Sequence, residues 1–446
     1  MKLSVIGAGY VGLTTAACLA QIGHDVFCSE SDINKLAKLQ NGIMPLFEPH
    51  LENIIETTRK SGRLRFGCTE EAIDWGRAIF ICVGTPPLAN GDADLCAIEG
   101  VARMIAKRAS GYRLVIEKST VPVQTGSQLG RHLSVHSTTR LDYDVASNPE
   151  FLREGSAVED FLHPDRIVVG VDSVRAEELL REIYEPIIRQ NFLCPVHSDC
   201  PRIKDPIFLT TDTSSAELIK HASNSFLALK ISYINAISVL CELCGGNVQE
   251  VANGMGMDTR IGRKFLDASL GFGGSCFPKD LSAFIHISET LGYNFGLLKE
   301  VQRINALQMD RFVHKIIDTL WVVKGKSLGI LGLAFKQNTD DIRMSPAIQL
   351  CQRLQKEGAL LRVHDPQAME KARAVLTEVT YVDNMDEVAD GCDALVIATE
   401  WPAFKKLDLE RARKALSHPI IFDGRNLFDA AEMERLGFLY KSIGRK

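Results

Sequence analysis

Apolar residues in the first third of the chain come in short runs separated by polar or amphipathic stretches. Residues 3–6, 25–29, 78–83, 114–118 and 145–147 are such runs, and 167–172 adds another. This alternation predicts a parallel sheet with helices on both faces. The pattern changes at Ser214-Ser215-Ala216-Glu217, where Ser followed three residues later by Glu fits a capping box. No Pro or Gly then interrupts the chain until Gly245-Gly246, which predicts about 30 residues of helix, ~45 Å long at ~1.5 Å per residue. Leu218, Ile219, Phe226, Leu229, Ile234, Ile237, Leu240 and Leu243 cover more than one face of it, as in a helix buried between layers or subunits. It reads as a spine and a homodimer contact. Helices are also predicted near 280–292 and 297–320. After Lys324-Gly325 the alternation restarts, with strands at 328–331, 360–364, 394–398 and 419–422 and a helix at 346–356. Residues 326–332 echo residues 2–9, and the second run of each set is followed or closed by an acid, Glu30 and Asp365. The expected fold is α/β: two Rossmann-like doubly wound domains, 1–205 and 324–446, joined by a helical middle domain, 206–323, with a long connecting helix.

A chain of 446 residues suits this division. Its 51 basic and 56 acidic residues give a net charge of −5, which argues against nucleic-acid or anionic-membrane binding through bulk charge. No apolar run approaches the ~18 residues that span a bilayer, and Met1-Lys2 leads at once into a strand without a signal-peptide h-region. The expectation is a cytoplasmic protein with neither a membrane nor a nucleic-acid partner. The 12 Cys are scattered through apolar segments, which points to a reducing compartment and buried thiols rather than a disulfide frame.

Gly7-Ala8-Gly9-Tyr10-Val11-Gly12 is a Gly-x-Gly-x-x-Gly between a strand and a helix. Gly7 permits the tight turn, Gly9 lets backbone N–H groups approach a pyrophosphate, and Gly12 permits close helix packing. Glu30 lies 23 residues after Gly7, where a carboxylate holds both ribose hydroxyls and repels a 2′-phosphate, favouring NAD over NADP. Asp32 is a competing acid placed beyond the strand end, and Lys35 could reach the adenosine side.

One other segment is dense in chemistry: Gly271-Phe272-Gly273-Gly274-Ser275-Cys276-Phe277-Pro278-Lys279-Asp280. Its three glycines suggest a flexible turn, and Pro278 suits the start of a helix. Cys276 would then precede a helix N-terminus with Lys279 near, and both effects stabilise a thiolate. Lys220 and Asn224 share a face of the long helix at i, i+4. Glu150 and Glu154 have the same spacing and would form a solvated face if their stretch were helical. Cys241-x-x-Cys244 reads as core packing. Cys194, His197 and Cys200 offer ligand types, but a structural zinc site needs four with defined geometry, so no metal is expected.

These stretches together resemble the UDP-glucose/GDP-mannose dehydrogenase family along nearly the whole chain. The matching segments are Gly-Ala-Gly-Tyr-Val-Gly (7–12), Val-Gly-Thr-Pro (83–86), Lys-Ser-Thr-Val-Pro (118–122), Asn-Pro-Glu-Phe-Leu-Arg-Glu-Gly (148–155), Phe-Gly-Gly-Ser-Cys-Phe-Pro-Lys-Asp (272–280) and Leu-Ala-Phe-Lys-x-x-Thr-Asp-Asp-x-Arg (333–343). Thr399-Glu400-Trp401 and Asp423-Gly424-Arg425-Asn426 resemble the branch that acts on UDP-glucose. Glu30 departs from the Asp usual in the family and keeps the charge.

The resemblance implies oxidation of a sugar-nucleotide C6 alcohol to a carboxylate with two NAD, through covalent capture on Cys276. It implies that Asp280 orients a water acting as base, that Lys220 and Asn224 stabilise charge on the C6 oxygen, and that Glu154 acts as base in thioester hydrolysis with Thr120 positioning water. It further implies substrate contacts from Glu150, Phe151, Leu152, Arg153 and Glu154, from Phe265, Leu266, Asp267, Ala268 and Ser269, and from Gly273 and Lys336. The implied NAD contacts are Thr85, Thr120, Glu154, Lys279 and Arg343, beside the glycine turn with Tyr10 and Val11, and the implied assembly is a homodimer. The rival readings are the same chemistry on GDP-mannose or a UDP-N-acetylhexosamine, a two-electron hydroxy-acid dehydrogenase that would not need Cys276, and a silent NAD-binding protein.

Overall fold

The computed structural model describes residues 1–88, 91–137, 142–198, 200 and 205–445. The chain forms two compact units, Met1–Ser223 and Asn224–Lys446. The first contains strands β1 (Lys2–Ile6), β2 (Asp25–Ser29), β3 (Leu64–Gly67), β4 (Ala78–Ile81), β5 (Tyr112–Glu117), β6 (Asp142–Ser147), β7 (Arg166–Val171) and β8 (Ile207–Thr211). They form one sheet in the order β3-β2-β1-β4-β5-β6-β7-β8. Val5, Phe80, Leu114 and Ile116 bury one side against the helices Tyr10–Gln21 and Val174–Ile188; Ile79, Ile81 and Val115 bury the other against Cys96–Arg108. Both faces are covered, so the central strands read as unbroken apolar runs.

The expected all-parallel sheet needs one correction, since β6 and β7 pair antiparallel. Apolar patterning missed β3 and β8. β3 is only four residues long with Arg65 exposed, and β8 alternates exposed and half-exposed positions.

The second unit contains β9 (Ser327–Leu331), β10 (Leu360–His364), β11 (Thr380–Tyr381), β12 (Ala394–Ile397), β13 (Ile420–Asp423) and β14 (Leu439–Ser442). All pair in parallel, in the order β11-β10-β9-β12-β13-β14. Helices Phe277–Thr290 and Gly296–Leu320 form a layer with their own apolar cluster of Ala228, Leu281, Ile285, Leu298 and Val301.

The long helix runs Thr213–Cys244, and the boundary between the units falls inside it. The capping box is not formed. Asp212 caps this helix, accepting from the Ser215 N–H at 2.8 Å, while Ser214 lies within the helix. Glu217 instead accepts from the N–H groups of Gln124 (2.5 Å) and Gly126 (2.7 Å), at the start of the helix Thr125–His136. The expectation that no segment could span a bilayer is also corrected: this helix is long and apolar enough, with a mean hydropathy of 1.6 over 18 residues. Counting unbroken apolar runs missed it because Ser, Asn and His punctuate the sequence. Where those polar residues are buried they are bonded to protein: His221 to Val121 O (2.7 Å), Ser232 to Val301 O (3.0 Å), and Asn235 to Ser269 N–H (2.9 Å).

Candidate active site

In the first unit, Gly7 follows β1 with φ +100°, and an added Cβ would lie 2.7 Å from Cys82 O. At Gly12 a Cβ would stand 1.8 Å from Gly7 O, so only glycine lets the helix Tyr10–Gln21 close on the turn. Gly9 is different, because a Cβ there meets no atom within 4 Å. Gly9 is therefore not needed for packing. Its bareness leaves open space at a helix N-terminus that has no side-chain cap and no acid in its first turn, which fits a pyrophosphate. Tyr10 and Val11 are the first two residues of that helix.

Glu30, just beyond β2, accepts from the N–H groups of Ser31 (2.8 Å) and Asp32 (3.1 Å). Lys35 Nζ lies 2.8 Å from its other oxygen, so Lys35 reaches back to Glu30. Burial pushes this carboxyl up, but Lys35 and the backbone donors outweigh it and hold it below the usual range. Asp32 is accounted for structurally: it caps the helix Ile33–Gln40.

Beyond β5, the Thr85 hydroxyl donates to Thr120 O at 2.8 Å. Behind them lies a polar cluster that patterning did not find. Lys118 Nζ donates to Asn148 Oδ1 (3.1 Å), Tyr184 OH donates to the same oxygen (2.5 Å), and Asn148 Nδ2 donates to Val168 O (2.8 Å). Burial lowers the Lys118 ammonium to about 8 and raises the Glu117 carboxyl beside it to about 8. Only the local motif Lys-Ser-Thr-Val-Pro hinted at this cluster.

Residues 148–155 are not helical, which overturns the reading of Glu150 and Glu154 as a helix face. Glu150 is buried. It accepts from the Leu152 N–H (2.6 Å) and pairs with Lys220 Nζ at 2.8 Å, both side chains being at most 5% exposed. Phe151 lies between cations, with Arg166 4.0 Å and Lys220 5.5 Å from its ring centre. Arg153 is exposed and grips Asp160 through two nitrogens. Glu154 sits half-buried in the following turn. Glu48, absent from the expected set, anchors this loop by accepting from Gly155 N–H (2.6 Å) and Ala157 N–H (2.7 Å).

In the second unit, Cys276 is the N-cap residue of Phe277–Thr290, with Pro278 in its first turn and Ser275 Oγ 3.7 Å from Sγ. The glycines before it are packed rather than flexible. A Cβ at Gly271 would meet Asn305 Oδ1 at 2.7 Å, one at Gly273 would meet Met344 O at 2.2 Å, and one at Gly274 would meet the Phe335 ring at 2.7 Å. Asn305 fixes the loop by bonding both Phe272 N–H (2.8 Å) and Phe272 O (3.1 Å). Asp280 is buried, accepting from Asn224 Nδ2 (2.7 Å) and pairing with Lys279 Nζ (3.0 Å).

Phe265 takes a left-handed backbone, φ 66°. Leu266, Ala268 and Ser269 are buried, whereas Asp267 is exposed and paired with Arg263 at 2.7 Å. Lys336 lies 5.6 Å over the Phe335 ring. Arg343 pairs with Asp341 at 2.6 Å.

The other thiols are chemically quiet where they are buried. Burial pushes Cys82 and Cys351 up to about 12 and pushes Cys18, Cys28, Cys241 and Cys392 upward as well. Cys244 departs from the core reading, being exposed. Cys194, His197 and Cys200 come together with a fourth residue, His163. Counting ligands along the local sequence stopped at three, because His163 lies 31 residues upstream.

A doubly wound sheet with an open glycine turn and an acid beyond the second strand defines an NAD-binding protein of the α/β class. Residues 1–188 match the NAD binding domain of the UDP-glucose/GDP-mannose dehydrogenase family, 214–307 its central domain and 329–430 its UDP binding domain. The chain belongs to this family. It is 42% identical to the UDP-glucose 6-dehydrogenase TuaD of Bacillus subtilis over 446 residues, covering all of this chain and 93% of that one. It is 42% identical to the UDP-glucose 6-dehydrogenase of Rhizobium meliloti over the full length of both. Its fold matches a UDP-glucose dehydrogenase from Pyrobaculum islandicum with a TM-score of 0.89 and 39% identity, covering 100% of this chain and 98% of that one.

Proposed function

We propose that this protein oxidises the C6 alcohol of UDP-glucose to a carboxylate, producing UDP-glucuronate through a covalent intermediate on Cys276. The observation that carries this reading is the placing of that thiol at a helix N-terminus, in a loop whose glycines are fixed by packing. A helix dipole favours an anion there. On this reading the chain works as three parts: 1–205 holds NAD, 206–323 carries the reactive thiol, and 324–446 holds the UDP group. The thiol chemistry suits a reducing compartment such as the cytoplasm.

NAD, when bound, accepts the two electrons of each oxidation as hydride. The turn Gly7–Gly12, with Tyr10 and Val11, would hold its pyrophosphate, Glu30 its ribose hydroxyls, and Lys35, Thr85, Thr120, Glu154, Lys279 and Arg343 its remaining groups. Asp280 orients a water that removes the hydroxyl proton in the first oxidation. Lys220 and Asn224 donate hydrogen bonds to the C6 oxygen as negative charge develops; an ammonium has three donors, and Glu150 takes one. The Cys276 sulfur adds to the aldehyde carbon while the aldehyde oxygen gains a proton. Capture keeps the aldehyde in place and leaves a thiohemiacetal carbon that still carries a hydrogen to lose. After the second oxidation, water attacks the thioester, Glu154 takes its proton with Thr120 holding its oxygen, and the Cys276 thiol leaves. Glu150, Phe151, Leu152, Arg153, Phe265, Leu266, Asp267, Ala268, Ser269, Gly273 and Lys336 line the sugar nucleotide.

We place a homodimer contact on the long helix. Phe226, Tyr233 and Leu240, seven residues apart, are 61%, 49% and 58% exposed, and a spacing of seven keeps them on one face.

Product stoichiometry tests the reaction. The expected outcome is about two NADH per UDP-glucose, with Cys276→Ser losing nearly all steady-state turnover. One NADH per sugar, or full activity without the thiol, would defeat it. A panel of GDP-mannose and UDP-N-acetylhexosamines checks the substrate, and absence of activity on UDP-glucose alone would redirect the assignment within the family.

A further inference from the structure

We propose that His163, Cys194, His197 and Cys200 hold a structural zinc ion. Each offers one ligand atom, and the four atoms lie within 4.8 Å of one another. His163 Nε2 is 3.2 Å from Cys194 Sγ and 3.5 Å from Cys200 Sγ, and His197 Nδ1 is 3.6 Å from Cys194 Sγ. A tetrahedron with Zn–S of about 2.3 Å and Zn–N of about 2.05 Å has S···N edges of about 3.6 Å. The His163–Cys200 and His197–Cys194 separations match that edge, and the His163–Cys194 separation is shorter than it.

The surrounding bonds set the protonation a metal needs. His163 Nδ1 lies 2.8 Å from Gln190 Oε1. Gln190 Nε2 donates to Leu162 O (3.2 Å) and Ile187 O (2.7 Å), which fixes the amide's orientation. Nδ1 must therefore carry the hydrogen, and the Nε2 lone pair faces the two sulfurs. His197 repeats the arrangement: Nε2 lies 3.5 Å from Glu159 Oε1, leaving Nδ1 toward Cys194. A backbone carbonyl, amide or carboxylate behind each ligating imidazole is the support such ligands require. Cys194 Sγ also accepts from the His197 N–H at 3.4 Å. Two thiolates and two neutral imidazoles cancel the charge of Zn2+. Four protein ligands fill the tetrahedron, so the ion is structural, with no position left for water.

The clamp has a mechanical purpose. His163 follows the helix Ala157–Leu162, while Cys194, His197 and Cys200 follow the helix Val174–Ile188. Among the described residues from 189 to 206 there is no helix or strand, and so long an irregular connection needs another anchor. Zinc would tie it to the helix that the 148–155 loop leads into.

The test is the metal content of the full-length protein purified without chelator, after incubation with zinc and desalting. The expected value is about one zinc per chain, and the cobalt(II)-substituted protein should show thiolate-to-metal charge transfer and tetrahedral d–d absorption. Cys200→Ser and Cys194→Ser should each lower zinc affinity by at least about tenfold, while Cys244→Ser, an exposed cysteine outside the cluster, should retain the metal. Chelator should lower the melting temperature of the native protein and leave that of Cys200→Ser unmoved. Fewer than about one zinc per ten chains in the native protein, retention by both cluster variants, or a Cys194–Cys200 disulfide in freshly purified protein would overturn the proposal. Should the variants not fold, the cobalt spectrum of the native protein decides alone.

Discussion

The two sheets share a six-strand plan, to which the first adds β7 and β8, and within that plan they differ at one turn. From the third strand of each they run in the same order, β3-β2-β1-β4-β5-β6 and β11-β10-β9-β12-β13-β14. Gly7 follows β1 with φ +100° and donates to Ser29 O at 3.0 Å; Gly332 follows β9 with φ +101° and donates to His364 O at 2.8 Å. The next two residues diverge. In the second turn the N–H groups of Leu333 and Ala334 donate to Asp365 Oδ2 at 2.7 and 3.0 Å. The other Asp365 oxygen accepts from Gln367 and Ala368, and Trp401 Nε1 closes the group at 3.0 Å. Glu30, in the same place after β2, turns instead onto Ser31, Asp32 and Lys35. The second turn thus carries its own anion, while the first keeps open space beside Gly9 for a foreign one. One fold serves a dinucleotide in one copy and excludes that mode in the other, so the second domain must take its nucleotide through different groups.

The largest expected effect comes from emptying the filled turn. Asp365→Ala leaves four buried donors, those of Leu333, Ala334, Ala368 and Trp401, without an acceptor, at ~1–3 kcal/mol each, while the exposed Gln367 N–H can turn to water. The second unit should lose most of its stability, read as a fall in melting temperature and in the denaturant midpoint. Glu30→Ala should do the opposite, raising the KM for NAD by about tenfold or more, as expected for a lost charged hydrogen bond, with little change in melting temperature. If Glu30→Ala melts as badly as Asp365→Ala, the two acids do the same work and the comparison fails.

A smaller effect should follow from Gly9→Ala, which gives the first turn the residue that the second has at Ala334. With no atom within 4 Å of the new Cβ, the fold should hold while the KM for NAD rises by about tenfold, the loss of about one hydrogen bond's free energy. An unchanged KM would show that the open space is not where the phosphates lie.

Much of this architecture was legible in the sequence because apolar runs and glycine turns report burial directly. The strand 25–29, the helix 346–356 and the strand 360–364 match their observed bounds. The echo between residues 2–9 and 326–332 was legible too, but not its chemical difference, since whether an acid closes a turn depends on one side-chain rotamer. Glu217 looked like half of a capping box because spacing cannot tell that a better partner, the start of Thr125–His136, comes from far along the chain. The same limit hid Lys118, Glu48 and the tight packing of Gly271, Gly273 and Gly274. The placing of Cys276 at a helix N-terminus was readable because Pro278 and the glycines are local signals.

The last prediction concerns the acids that end the equivalent strands, Glu117 on β5 and Asp423 on β13. Both are fully buried and raised by burial. Asp423 accepts from Tyr440 OH (2.7 Å), Phe428 N–H (3.0 Å) and Arg425 N–H (2.9 Å), with Arg445 adding positive charge. Glu117 accepts from Ser119 N–H at 2.7 Å, and among the described residues its second oxygen has no hydrogen-bond partner. A carboxyl at about 8 in the folded state, against ~4.3 unfolded, binds a proton between those values that the unfolded chain releases. The contribution of Glu117 to native stability must then fall as pH rises from ~4.3 to 8, the reverse of the usual salt-bridged carboxylate. Glu117→Gln cannot titrate, so its stability relative to the native protein should climb across that window, by at most a few kcal/mol, whatever its absolute level. Asp423→Asn should change the slope less, because donors around Asp423 offset its burial. Parallel melting curves for Glu117→Gln and the native protein from pH 5 to 8 would show that the Glu117 carboxyl is already ionised in the folded state (~ the usual range for Glu), and the two strand-end acids would then be electrostatically alike.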